Sequence, residues 1–178
     1  MSRIALLLAW AVSGAAISAA TLEKLTLDDM IQKSTGIVRG RVLGSWGAAH
    51  GPMIYTHFRI QVIERWKGAA SASEDVVVPG GVVANRRQVV AGAPRLMEGT
   101  EYVLFLWTSR TGLTHVVGLS QGALSLQRDS KGQGTVMRLA SRELMLNQSG
   151  QVVQDEAIRM SLAELATRIR QVLATARE

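Results

Sequence analysis

The segment Gly118-Leu119-Ser120-Gln121-Gly122 spells the G-x-S-x-G of a hydrolase nucleophile elbow. That chemistry needs a strand before the serine, a helix after it, and an acid and a histidine further along the chain. Here Ala123-Leu124-Ser125-Leu126-Gln127 alternates like a strand and His115 is the last histidine, so the pattern predicts a turn rather than a nucleophile. The three histidines, His50, His57 and His115, lack the H-E-x-x-H spacing of a helical zinc pair. Two of them could meet across neighbouring strands, but their spacing defines no metal ligand set. The carboxylate neighbours Asp28-Asp29, Glu74-Asp75 and Asp155-Glu156 would point to opposite faces of a strand, which suits caps and loops better than a general-acid pair. Gly80-Gly81 lacks the Lys and Ser/Thr of a phosphate-binding loop. There is no cysteine, which excludes disulfides, thiolate metal sites and thiol nucleophiles. No coherent catalytic set results. No catalytic residue, metal or cofactor is therefore assigned, and a non-enzymatic chain is expected.

Binding chemistry is better represented. Trp46, Trp66 and Trp107, with Tyr55 and Phe58, could form a stacking platform for bases or sugars. Aromatic residues in strands more often enter the core, and core is the expectation for these. Between Gly36 and Met97 eight bases (Arg39, Arg41, Arg59, Arg65, Lys67, Arg86, Arg87, Arg95) face three acids (Glu64, Glu74, Asp75), in a chain whose net charge is +6. Such a block can face a polyanion, but the commoner role of charge is to keep a surface solvated. The longest loop candidate runs from Pro79 to Pro94 and carries Asn85, Arg86 and Arg87 at its centre. Arginine makes bidentate contacts to carboxylates, so these three residues are the candidate binding site.

The elements that must carry these residues are mainly strands. Ile54 to Val62 alternates, with Phe58, Ile60 and Val62 on one face and His57, Arg59 and Gln61 on the other; the break at Ile63 predicts a bulge. Gly36–Trp46 reads as another strand, and the apolar Tyr102–Trp107 as a central strand covered on both faces. Further strands are expected at Val76–Val78, Leu113–Val117, Leu124–Gln127, Thr135–Leu139, and at Leu144–Leu146 paired with Val152–Val153. The polar links Asp129–Gly132 and Asn147–Gly150 suit hairpins, and no helical pattern of about 10 residues or more separates the strands, so antiparallel pairing is expected. Thr26 with Asp29 forms a variant capping box ahead of a short N-terminal helix. Ser161 with Glu164 caps an amphipathic C-terminal helix over 162–176, with Leu162, Leu165, Ile169, Val172 and Leu173 on its apolar face and Arg177 near its end. The fold class is mainly β, a small antiparallel barrel or sandwich flanked by these helices.

Ahead of that fold lies an address. Arg3, the apolar run Ile4–Val12 and the small residues Ser18-Ala19-Ala20 have the order of a secretory signal peptide, with cleavage expected before Thr21. The run is shorter than the roughly 20 residues of a membrane anchor. Residues 1–20 are thus assigned as a signal peptide and 21–178 as one β-rich domain, periplasmic or extracellular, without a membrane anchor. Export also argues against nucleic acid as the partner.

Several blocks then combine into a resemblance: Gly36-Ile37-Val38-Arg39-Gly40-Arg41-Val42, Ile54-Tyr55-Thr56 and Val62-Ile63-Glu64-Arg65-Trp66-Lys67-Gly68, followed by Pro79-Gly80-Gly81, Gly92-Ala93-Pro94, Gly99–Leu106 and Gly118–Gly122. Their order resembles a family of uncharacterised exported bacterial proteins, itself distantly similar to the netrin/tissue-inhibitor-of-metalloproteinase superfamily. The resemblance implies an OB-like five-stranded barrel. Inhibitors of that superfamily grip the protease zinc through an N-terminal cysteine, which this chain lacks, so that mechanism does not carry over. The expected function is a soluble, exported, non-enzymatic domain engaging a protein partner. The alternative is a regulator of an exported metalloprotease working without the cysteine.

Overall fold

The computed structural model describes residues 21–176; the expected signal peptide and Arg177 lie outside the described residues. In chain order the elements are β1 (Thr21–Glu23), α1 (Leu27–Lys33), β2 (Gly36–His50), β3 (Met53–Lys67), β4 (Ser73–Pro79), β5 (Gly81–Val83), β6 (Arg86–Gln88), β7 (Glu101–Thr108) and β8 (Thr114–Val116). A 3-10 turn at Leu119–Gly122 follows, then β9 (Ala123–Arg128), β10 (Gly134–Arg138), β11 (Leu144–Leu146), β12 (Val152–Val153), β13 (Ile158–Ser161) and α2 (Leu162–Thr175). The chain is mainly β.

Both helices start where their capping residues stand. Thr26 Oγ1 accepts from the Asp29 amide at 3.1 Å while the Asp29 carboxylate accepts from the Thr26 amide at 2.9 Å. Ser161 and Glu164 repeat the exchange at 3.1 and 2.8 Å. α2 buries Leu165, Ala166, Ile169 and Val172, and its Arg168 donates to Asp28 of α1, tying the helices together.

β2 and β3 form a long hairpin about the two-residue turn Gly51-Pro52, where Gly51 supplies the positive φ of +61°. The expected bulge at Ile63 is present, and two unforeseen ones fall at Leu43 and Trp66. Each re-aims the side chains beyond it and adds twist, so strands of this length can curl. The main sheet runs β13-β10-β9-β7-β2-β3-β4-β8, and β8 also pairs with β7. β2, β3, β4, β8 and β7 therefore make a closed cycle of pairings.

Two expectations need correction. Pairing is not wholly antiparallel: β4–β8 and β1–β11 are parallel. Neither is a βαβ unit. β8 reaches β4 by reversing against β7, so a parallel neighbour arises with no helical crossover. The Pro79–Pro94 stretch is not an open loop either. β5 and β6 form a hairpin about Ala84-Asn85, anchored where the Gln88 side-chain carbonyl accepts from the Ile54 amide at 2.6 Å and Thr56 Oγ1 donates to the Gly80 carbonyl at 2.9 Å.

Two apolar cores lie on opposite faces of β2 and β7. Inside the cycle pack Val38, Val42, Phe58, Ile60, Val76, Tyr102, Leu104 and Leu106. Outside it, Ile37, Val103 and Phe105 meet Met30 and Ile31 of α1, Leu165 and Ile169 of α2, and Leu124 and Val136 of β9 and β10. The near-continuous apolar run of β7 is explained by this double coverage.

Candidate functional site

One cross-strand row collects most of the chemistry. Trp46 of β2 stands opposite His57 of β3, His57 opposite Val77 of β4, Val77 beside His115 of β8, and His115 opposite Trp107 of β7. Because side chains alternate along strands, these residues share the outer face of the cycle, together with Tyr55 and Asp75 two residues away from row members. The rings touch in sequence. Trp46 stacks on His57 with centroids 5.1 Å apart, His57 on His50 at 5.5 Å, His50 meets Tyr55 edge-on at 5.7 Å, Tyr55 meets His115 at 5.8 Å, and His115 stacks on Trp107 at 4.8 Å. Arg59 lies over Trp46, 5.6 Å from the ring centre, within cation–π range.

The row reverses the expectation that the aromatic residues are core. Trp46 and Trp107 are 42% and 41% exposed. Phe58 does enter the inner core, and Trp66 packs beside the outer one. The physical reason is the outer face they occupy, which neither helix of the described residues covers at this end of the sheet.

Polar partners fix the histidines. His57 Nε2 lies 3.3 Å from His50 Nε2, and His57 Nδ1 lies 3.1 and 3.2 Å from the two Asp75 carboxylate oxygens. The His57 side chain is only 9% exposed. His115 has no such carboxylate, and burial between its aromatic neighbours pushes its pKa below the usual 6.5. Among the described residues no group of three or more His, Asp or Glu side chains is arranged to hold a metal ion.

Beside the row opens a cleft of about 600 Å³, walled by Tyr55, Trp107, His115, Val77, Pro79 and Pro94, with Glu23 and Lys33 also lining it. Its floor is the 3-10 turn. Gln121, 1% exposed, accepts from the Leu25 amide at 2.8 Å and donates to the Glu23 carbonyl at 2.9 Å, so the G-x-S-x-G segment anchors the N-terminal strand. No helix follows Ser120; β9 does, as expected for a turn. Its conformation demands Gly118, which adopts φ +61° and whose Cβ would fall 2.8 Å from Leu25.

The three candidate binding residues sit elsewhere. Asn85, Arg86 and Arg87 are exposed at the β5–β6 hairpin, and neither arginine forms an ion pair among the described residues. Arg87 lines a second depression that shares Val78, Pro79 and Pro94 with the cleft, so the two surfaces adjoin across a proline ridge. The rest of the basic block is largely consumed internally: Arg39 pairs with Glu64, Arg41 with Glu101, Arg65 with Glu74, and Lys67 donates to the Ile31 and Gln32 carbonyls. The carboxylate neighbours are spent likewise, Asp28 on Arg168, Asp29 on the helix cap, and Asp155 on Arg138.

Reasoning from sequence passed over the row itself, although one signal could have found it. The Gly51-Pro52 turn fixes the hairpin register, and counting back from it places Trp46 opposite His57. The join to His115 and Trp107 was not available that way, because it depends on the parallel β4–β8 pairing. No family model matches the chain, and no curated protein or solved structure matches it.

Proposed function

We propose that this chain is an exported, non-enzymatic binding domain, built on an OB-like barrel, that engages a protein partner in the periplasm or outside the cell. The closed cycle of five strands, with β8 inserted between β4 and β7, supports the barrel reading; barrels of that type bind ligands on their strand faces and loops. The observation that carries the function is the exposed aromatic row beside an apolar cleft. Tryptophan and arginine are the residues that most often anchor protein interfaces, and a large apolar cleft with few polar groups is the usual form of a binding site. Across the proline ridge, Arg86 and Arg87 offer guanidinium groups that form no ion pair among the described residues to an acidic stretch of the same partner.

The non-enzymatic reading rests on what the row lacks. His57 and Asp75 have the geometry of a base and its orienting carboxylate, but the outer nitrogen of His57 faces His50 rather than a hydroxyl. Ser120 lies on the 3-10 turn, without a following helix to shape a nucleophile elbow.

Affinity capture from periplasmic extract with the untagged, surface-coupled chain tests this. We expect a retained protein whose binding weakens by about tenfold or more with Trp107→Ala, the loss typical of an interface anchor. A double Arg86→Ala, Arg87→Ala variant should slow association and make it less salt-sensitive. Full retention by both variants would refute the site. An esterase activity that disappears in Ser120→Ala would refute the non-enzymatic reading.

A further inference from the structure

We propose that His50 and His57 form a two-histidine site for a tetrahedral divalent metal ion, zinc in chemistry. The first argument is distance. Two imidazole nitrogens bound to one zinc at about 2.0–2.1 Å, with a tetrahedral angle between them, lie roughly 3.3–3.4 Å apart. Adjacent ligands of a square-planar copper would stand closer, at about 2.9 Å. The Nε2 atoms of His50 and His57 are 3.3 Å apart. That spacing fits a tetrahedral ion; without an ion it is the length of a long N–H···N hydrogen bond between the two rings.

The second argument is the tautomer. Asp75 places both carboxylate oxygens within 3.1 and 3.2 Å of His57 Nδ1. A carboxylate accepts, so Nδ1 donates to Asp75, and Nε2 is the ring nitrogen that faces His50 and is placed to ligate. Metal-binding histidines commonly have this arrangement, with the far ring nitrogen donating to a carboxylate that fixes the ring and raises its basicity. His50 needs only its other tautomer, with the proton on Nδ1, to present a second lone pair. No electron is transferred.

The third argument is preorganisation with access. His57 is held under the Trp46 ring, 19° from parallel, and its side chain is 9% exposed. His50 is exposed beside the tight Gly51-Pro52 turn, so the ion can enter from solvent and the His50 ring can swing to meet it. Since no third His, Asp or Glu converges among the described residues, two coordination positions face water or a partner's side chain. Such an open site exchanges its ion, unlike a closed four-ligand structural site.

Titration of the full chain, purified without a histidine tag, with cobalt(II) and zinc decides the matter. Cobalt(II) should give the intense visible bands of tetrahedral coordination, saturating at one ion per chain. Zinc should displace it and change tryptophan fluorescence through Trp46. His50→Ala, at an exposed position, should abolish both signals with unchanged circular dichroism. Asp75→Asn should weaken binding by about 10–100-fold without abolishing it. The proposal is overturned if cobalt(II) spectra are octahedral, or if His50→Ala binds as well as the unaltered chain. Retention of the site in His57→Gln would overturn it too.

Discussion

His115 shows how far a single side chain's charge is governed by its neighbours. It is stacked on Trp107 and edge-on to Tyr55, and burial there disfavours the imidazolium form and lowers its pKa from 6.5. The unfolded chain, with the ordinary pKa, then binds more protons than the folded chain in the window between the two values. Stability must rise with pH through that window and fall as pH drops below 6.5. Urea midpoints measured from about pH 8 down to about pH 5 should therefore decline, and His115→Phe should flatten that slope while keeping the stack on Trp107. An unchanged slope in His115→Phe would show that another group carries the effect. Asp155 is shifted in the same direction for a different reason. Burial alone would raise its pKa, but hydrogen bonds from Arg138 and the Ser141 amide outweigh it and hold the carboxyl below 3.8. Its contribution is present above that value and disappears only as pH falls through the lowered one, well clear of the histidine window.

Among the elements, the β5–β6 hairpin depends on a glycine in a different strand. A Cβ at Gly47 would stand 2.2 Å from the Val82 carbonyl oxygen, a backbone atom that cannot rotate away. Gly47→Ala must therefore push the hairpin off β2, and limited proteolysis should cut within Gly81–Gln88 much faster than in the unaltered chain. Equal resistance would mean that the hairpin is held by Gln88 and Thr56 alone. The same element shows where the sequence stops being readable. Both capping boxes and the Asp129–Gly132 and Asn147–Gly150 turns rest on contacts within a few residues and were legible, while the Ile63 bulge, set by pairing with β2, was legible through the break it makes in the alternation of β3. In both turns the first side chain accepts backbone amides, Asp129 from Lys131 and Gln133, Asn147 from Ser149 and Gln151. By contrast β5 and β6 have three residues each and turn at Ala84-Asn85 without a glycine, so no local signal marks them. β1 is equally short and is a strand only because β11 and Gln121 receive it. The candidate site divides in the same way: the Trp46–His57 half follows from a two-residue turn, and the His115–Trp107 half from a pairing distant in sequence.

Over the whole molecule, the central fact is that β7 belongs to both cores. Val103 and Phe105 face the helices, while Tyr102, Leu104 and Leu106 face the interior of the strand cycle. β2 does the same with Ile37 on one side and Val38 and Val42 on the other. Neither core can lose its packing without exposing the back of a strand that the other requires. The helical layer and the strand cycle should consequently unfold together. Phe105 is the sharpest probe, being 0% exposed and turned toward the helices. Phe105→Ala removes a large ring from a closed site and should cost about 3–5 kcal/mol through lost burial and the cavity left behind. Tryptophan fluorescence in a Trp66→Phe background, which removes the tryptophan packed beside the helical core and leaves Trp46 and Trp107 on the strand cycle, would follow one side in urea. Far-ultraviolet circular dichroism at the helical minimum would follow the other. Both curves should shift together and remain superimposable, because the damage on the helical face passes through β7 to the aromatic row. Separate transitions, with the helices melting first and the tryptophan signal unmoved, would show two independent cores and sever the helical layer from the binding face.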